Sequence, residues 1–223
     1  MFRVKLGLII VGGVVAFMGG QEFLVSHGTT TEAVNVDLAK LEAGEELENN
    51  HARIGEHTAI YAGSVYAYET SKYDNSTPRN STKVSYCFYP ILSSSHSFMQ
   101  RLVELKEEYG SLEEVPENVE FPEIKDFTVL VKTKSFKTVG SIPDGIADRP
   151  SIQGLVINQI DSLDSEEEEL LLSSFPGLDM DKVLILEDGR TPASLGKSLG
   201  MTLGGGLISL LGLGWLVVGH KEK

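Results

Sequence analysis

The sequence predicts an α+β domain of mixed strands and helices, flanked by one transmembrane helix at each terminus. Three observations carry that expectation. Residues 6–20 and residues 198–219 hold no charged side chain. Residues 21–199 between them hold 31 Asp and Glu against 15 Lys and Arg. That acidic middle also intersperses short β-branched and aromatic runs with helix-like periodic ones. The chain averages, 41% apolar and 23% charged residues with a mean hydropathy of −0.02, conceal this segregation.

The expected organisation is an N-terminal anchor over residues 1–20, an acidic extracytoplasmic domain over 21–197, a second span over 198–219 and a short tail over 220–223. At about 1.5 Å of rise per residue the second span covers about 33 Å, enough for a hydrocarbon core of about 30 Å. Trp215 near its end suits a headgroup-level anchor. The first span is shorter, and Arg3 and Lys5 ahead of an apolar run also describe a signal peptide. Phe23, Leu24 and Val25 carry the apolar character past Gln21 and Glu22, while Phe17 and Met18 interrupt the small residues a cleavage site needs. A retained anchor is therefore expected.

Arg3, Lys5, Lys221 and Lys223 crowd the two short tails, whereas no Lys or Arg occurs between Lys5 and Lys40. The positive-inside rule then puts both termini in the cytoplasm and the domain outside, despite Arg190 and Lys197 on the domain side of the second span. In layout alone the chain resembles bacterial two-span proteins whose folded domain sits outside the membrane. That likeness implies topology and no functional residue.

Within the domain, residues 37–43 read as a short helix stopped by Gly44, followed by the acidic run 45–48 and a strand near 52–54. Residues 58–69 read as a long strand or a bent pair with Gly63 at the bend, and residues 82–92 as another strand. Ser95 or Ser97 can cap a helix running to Tyr109 and closed by Gly110, with Phe98, Leu102, Val103 and Leu105 on its apolar face. The proline- and glutamate-rich residues 111–126 read as a loop, residues 127–132 as a strand, 135–139 as its partner and 152–160 as another strand. Ser165 before four glutamates begins a capped helix, residues 182–187 form the last strand, and Pro192 with Ala193 opens the second span. One compact domain is expected; a second small lobe beginning within residues 143–150 is the alternative.

Few constellations suggest chemistry. His51 and His57, with Glu56 beside them, would share a face if one continuous strand carried both histidines, but Gly55 breaks it, so ordinary histidines are favoured over a metal site. His96 lies among Ser93, Ser94, Ser95 and Ser97, where helix capping explains the hydroxyls better than a nucleophile beside a base. These four residues, His51, Glu56, His57 and His96, are pocket candidates only if folding gathers them. Consecutive carboxylates at Glu166, Glu167, Glu168 and Glu169 point around a helix instead of converging on one ion. Gly196-Lys197-Ser198 ends like a phosphate-binding loop but has Thr191 where the first glycine belongs. No catalytic, cofactor-binding or metal-binding set is assigned, and no cofactor is expected.

Cys87 is the only cysteine, which excludes an intramolecular disulfide, and its strand-like surroundings predict a buried thiol. Asn75 and Asn80 begin two Asn-x-Ser/Thr sequons that matter only in a eukaryotic secretory route. Inside the spans, Gly12, Ala16 and Gly20, and again Gly196, Gly200 and Gly204, recur every fourth residue, a spacing that lets helix backbones approach closely.

The expected function is a non-enzymatic interaction, scaffold or regulatory module for another membrane protein, with self-association as a further partnership. The acidic domain disfavours nucleic acid and anionic headgroups. The competing expectation is a membrane-bound enzyme or assembly factor acting on a lipid-linked or cofactor substrate.

Overall fold

Two units build the chain: Met1–Glu32 with Thr191–Lys223, and Ala33–Arg190. The computed structural model describes residues 2–69, 77–116, 118–124, 126–159 and 163–218. The sequon at Asn75 and the lysines at Lys221 and Lys223 lie outside them.

The first unit opens with helix α1 (Phe2–His27), of which Val4–Val25 is long and apolar enough to cross a membrane. The second unit begins with strand β1 (Val34–Val36) and helix α2 (Leu38–Glu42). Asp37 caps α2 by accepting from the Ala39 N–H at 3.0 Å, and Gly44 follows with φ at +91°, a conformation glycine adopts without steric cost.

Strands β2 (His51–Ile54) and β3 (His57–Ile60) come next, then a tight turn over Tyr61–Gly63 and strand β4 (Val65–Tyr68). The bent pair expected over residues 58–69 is therefore present. Strand β5 (Val84–Leu92) and helix α3 (Ser97–Tyr109) follow. The remaining elements are β6 (Val129–Thr133), β7 (Ile146–Arg149), β8 (Ile152–Val156), helix α4 (Ser165–Ser174) and β9 (Leu184–Asp188). The first unit is completed by α5 (Leu195–Val218), whose Gly196–Leu216 stretch is the second helix long and apolar enough to span.

The nine strands among the described residues form one sheet in the order β1-β2-β8-β9-β6-β5-β3-β7, with β4 added alongside β5. Pairing is parallel between β1 and β2 and between β6 and β9, and antiparallel elsewhere. The ribbon of β2 with β8 continues into the ribbon of β3 with β7: Ile54 faces Ile152, and three residues on His57 faces Arg149. Gly55 and Pro150 mark the interruption on the two chains. Pro150 has no N–H to give the ladder, so the pairing breaks at the level where Gly55 stands on the facing strand. Since β2 pairs with β8 and β3 pairs with β5, the bent ribbon serves both ends of the sheet, which curls back on itself.

Strand alternation separates two apolar layers. Cys87, Tyr89 and Ile91 of β5, Val129 and Val131 of β6, and Leu184 and Leu186 of β9 point into the curl, where Leu38 and Leu41 of α2 join them. Phe88, Leu130 and Ile185 point outward, under Leu171 of α4. Strands buried on both faces need continuous apolar runs, which explains why residues 127–132 and 182–187 were legible as strands.

Several expectations are corrected. Residues 135–139 form no strand; they run extended to a turn at Val139–Ser141 with one isolated bridge, Lys83 to Thr138. Residues 143–150, the alternative start of a second lobe, hold β7, which pairs with β3, so Ala33–Arg190 is one unit as expected. His96 caps α3 in place of the neighbouring serines, and Asp164 caps α4 by accepting from the Glu166 and Glu167 N–H groups. Val103, expected on the apolar face of α3, is 53% exposed; the buried residues of that helix are Leu102 and Leu105.

Candidate functional site

Two adjoining clefts flank the bend between the ribbons, and His57 and Arg149 line both. The first, about 500 Å³, is also lined by Glu56, Thr58, Ser94, Asp148 and Pro150. The second, about 530 Å³, lies over the end of the curl where β6 and β9 finish. Its wall includes Arg53, Tyr61, Tyr89, Thr133, Ser135, Phe136, Gln153 and Asp188.

The bend positions His57. Its Nδ1 lies 2.8 Å from the Gly55 carbonyl, which can only accept, so Nδ1 carries the proton and Nε2 keeps a lone pair. Burial lowers the pKa of His57 below the usual 6.5, the Gly55 hydrogen bond opposes that shift, and the Arg149 charge adds to the lowering. A neutral imidazole with an accepting nitrogen therefore stands beside a guanidinium.

Arg149 projects over Tyr61, its guanidinium carbon 5.7 Å from the ring centroid, and its Nε donates to the Tyr61 hydroxyl at 3.2 Å. Tyr61, Tyr89 and Phe136 form an aromatic cluster, with centroids 4.8 Å apart for the two tyrosines and 5.8 Å apart for Tyr61 and Phe136. In the same cleft, the Asp188 carboxylate accepts from the Thr133 hydroxyl at 2.9 Å and the Ser135 hydroxyl at 3.4 Å. Burial raises the Tyr89 phenol above the ordinary tyrosine range; Tyr61 and the Asp188 charge raise it further, while Arg149 pulls it down. Tyr89 thus senses both charges. Arg53 holds the Gln153 amide oxygen through Nε at 3.0 Å and Nη2 at 2.7 Å, and Asp148 accepts from Thr58 at 2.8 Å.

The four pocket candidates separate. Glu56 and His57 share the first cleft. His51 is 1% exposed on β2, where its Nε2 accepts from the Gln153 amide at 3.2 Å. His96 lies elsewhere, at the start of α3: its Nδ1 accepts from the Phe98 N–H and its Nε2 donates to the Asp126 carbonyl. Among the described residues no group of three His, Cys, Asp or Glu side chains is arranged to hold a metal. Arg53, Tyr61, Tyr89, Thr133, Arg149 and Asp188 were not singled out from sequence. They come from different strands, and no local motif joins them.

In the first unit α1 and α5 run antiparallel, with Lys5 Nζ donating to the Trp215 carbonyl at 2.8 Å and Ser209 Oγ to the Ile9 carbonyl at 3.3 Å. A Cβ built on Gly12 would lie 2.7 Å from the Gly205 carbonyl, and one built on Gly205 would lie 2.4 Å from Ala16 N. Gly19 meets Thr202 and Gly212 meets Ile9, whereas Gly20, Gly196, Gly200 and Gly204 have no heavy atom within 4 Å of an added Cβ. The buried small residues recur every seventh position, Gly12 and Gly19 on one helix and Ser198, Gly205 and Gly212 on the other. A four-residue step drifts about 40° around a helix and a seven-residue step about 20°, so the wider spacing follows a long seam better.

Comparison with known proteins finds no matching family, curated relative or solved structure.

Proposed function

We propose that this chain is a two-span membrane protein whose Ala33–Arg190 domain works outside the cytoplasm as a non-enzymatic interaction, scaffold or regulatory module for another membrane protein. The observation that carries the reading is the antiparallel contact of α1 with α5, sealed by the Lys5 bond to Trp215. Helices paired in this way cross a bilayer together. Their outer ends share one side, with Arg3 and Lys5 at one end and Lys221 and Lys223 following the other, and the positive-inside rule assigns that side to the cytoplasm. The domain joined to both inner ends then lies opposite, tethered at two points and suited to contacting a neighbouring membrane protein or a second copy.

The test is cysteine accessibility in intact cells, with Ser76→Cys and Lys223→Cys made singly in a Cys87→Ala background. An impermeant maleimide labels Ser76→Cys and spares Lys223→Cys if the reading holds. The reverse pattern puts the domain in the cytoplasm, and labelling at both positions means one helix does not cross. Photo-crosslinking from the domain in native membranes then reads the module: a membrane protein captured there loses stability or activity when this chain is removed.

A second reading, a membrane-bound enzyme, is favoured by Glu56 and His57 in one cleft and by the accepting Nε2 of a neutral His57. Its substrate would be lipid-linked or cofactor-like. A reaction lost in His57→Gln without loss of folding would replace the module reading with this one.

A further inference from the structure

We propose that the second cleft binds a small zwitterion, a molecule that carries an ammonium and an oxyanion, between Arg149 and Asp188 across the Tyr61–Tyr89 pair. The inference concerns the Ala33–Arg190 unit alone and holds on either side of a membrane.

Three features support it. First, Arg149 and Asp188 lack ionic partners: among the described residues, Arg149 bonds the Tyr61 hydroxyl and Asp188 accepts from Thr133 and Ser135, and neither forms an ion pair. Arg101 and Arg190 of this acidic domain find carboxylates in Glu104 and Glu187, while Arg53 of the same cleft holds the Gln153 amide oxygen. An arginine in a domain with an excess of carboxylates that keeps its two terminal nitrogens for a cleft is poised for an incoming anion.

Second, both groups are held in place. The Tyr61 hydroxyl and ring fix the guanidinium, and two hydroxyls anchored at the end of β6 fix the carboxylate. Preorganised charges lose little entropy on binding. Third, aromatic rings line the same cleft as the two charges, with the Tyr61 and Tyr89 centroids 4.8 Å apart, and the cleft holds about 530 Å³. Opposite charges in one cleft that also presents aromatic rings match a ligand that carries both charges on one carbon skeleton. A simple anion would leave Asp188 unanswered, and a simple cation would leave Arg149 so.

Two sources present this chemistry: a free amino acid or related soluble zwitterion, and the phosphoethanolamine headgroup of a bilayer lipid. The test uses the full chain in maltoside micelles, titrated calorimetrically with glycine, 6-aminohexanoate and O-phosphoethanolamine, which step the distance between the charges, and with acetate and ethylammonium as half-ligands. The same protein in nanodiscs of phosphatidylethanolamine or of phosphatidylglycerol supplies the lipid arm, read by the melting temperature.

At least one zwitterion binds, and each half-ligand binds about tenfold more weakly or not at all. Arg149→Gln and Asp188→Asn each weaken the zwitterion by about tenfold or more while circular dichroism and the unliganded melting temperature stay unchanged. Stabilisation by free probes identifies a soluble ligand; stabilisation by phosphatidylethanolamine nanodiscs alone, lost in both variants, identifies the headgroup. The proposal is overturned if no probe or lipid stabilises the protein, if half-ligands match the zwitterion, or if the variants bind as the parent does.

Discussion

Lys132 of β6 and Glu167 of α4 form an ion pair on the outer face of the sheet, where the two residues are 8% and 5% exposed. The Lys132 ammonium also sits 5.2 Å from the Tyr86 ring centroid and 5.9 Å from that of Phe88. Of the three glutamates in the first turn of α4, Glu167 is the one whose direction takes it to the sheet. Its position fixes the rotation of the helix, so that Leu171, four residues on, lands beside Phe88 and Ile185.

Removing one member of such a pair leaves a charge buried without its partner. Glu167→Gln is expected to cost about 3–5 kcal/mol, lowering the melting temperature of the full chain in micelles by about 10 °C. The double replacement Lys132→Met with Glu167→Leu recovers most of that loss, since an apolar pair of similar volume needs no desolvation. A single variant that melts with the parent would show that the pair is exposed in solution.

Gly154 of β8 lies against β9 so closely that an added Cβ would sit 2.1 Å from the Glu187 carbonyl oxygen. Gly154→Ala therefore pushes two paired strands apart and is expected to destabilise by about 1–3 kcal/mol. Gly55→Ala, at a position where an added Cβ meets nothing within 4 Å, provides the contrast. Equal melting temperatures for the two variants would contradict the close approach.

Stability is expected to fall with acidification below about pH 6.5 because of His57. Burial depresses its folded-state pKa, so between the folded and unfolded values the unfolded chain binds the proton and the folded one does not. The contribution is complete above the unfolded value and is lost as the pH drops towards the folded one. Glu187 adds a loss in the carboxylate range: burial alone would raise its pKa, but hydrogen bonds from Arg190 and Lys134 outweigh it and hold the carboxyl low. Melting curves between pH 7.5 and 5 should decline less steeply in His57→Gln than in the parent.

The Cys87 thiol is fully buried, and burial pushes its pKa up to about 11. Alkylating reagents attack the thiolate, so the native protein is expected to resist labelling at neutral pH and to react once unfolded. Rapid labelling of the native chain would show that β5 opens.

Gly205→Leu and Gly204→Leu distinguish the seam of α1 and α5 from its reverse side. The first places a side chain against the Gly12 carbonyl and Ala16, while the second points into open space. Trp215 is the single tryptophan and stacks under Lys5 at 5.2 Å, so its emission shifts in Gly205→Leu and not in Gly204→Leu. A shift in both variants, or in neither, argues against this register.

The sequence alone determined what composition and short-range periodicity can encode. Two uncharged stretches announced helices apolar on every side, Gly44 and Gly110 marked helix ends, and doubly buried strands such as β6 and β9 showed as unbroken apolar runs. Strands with weak local signals were lost: β7, exposed and bounded by Gly145 and Pro150, read as a loop because its strand identity comes from pairing with β3. The tertiary structure also decided which glycines face the seam, since small steps in helical phase select Gly205 over Gly204. The cleft was beyond sequence reading for the same reason. Arg149 and Asp188 lie far apart in the chain, and only the curl of the sheet, enforced by interdigitating core side chains and a shared bend at Gly55 and Pro150, brings their charges to the same aromatic wall.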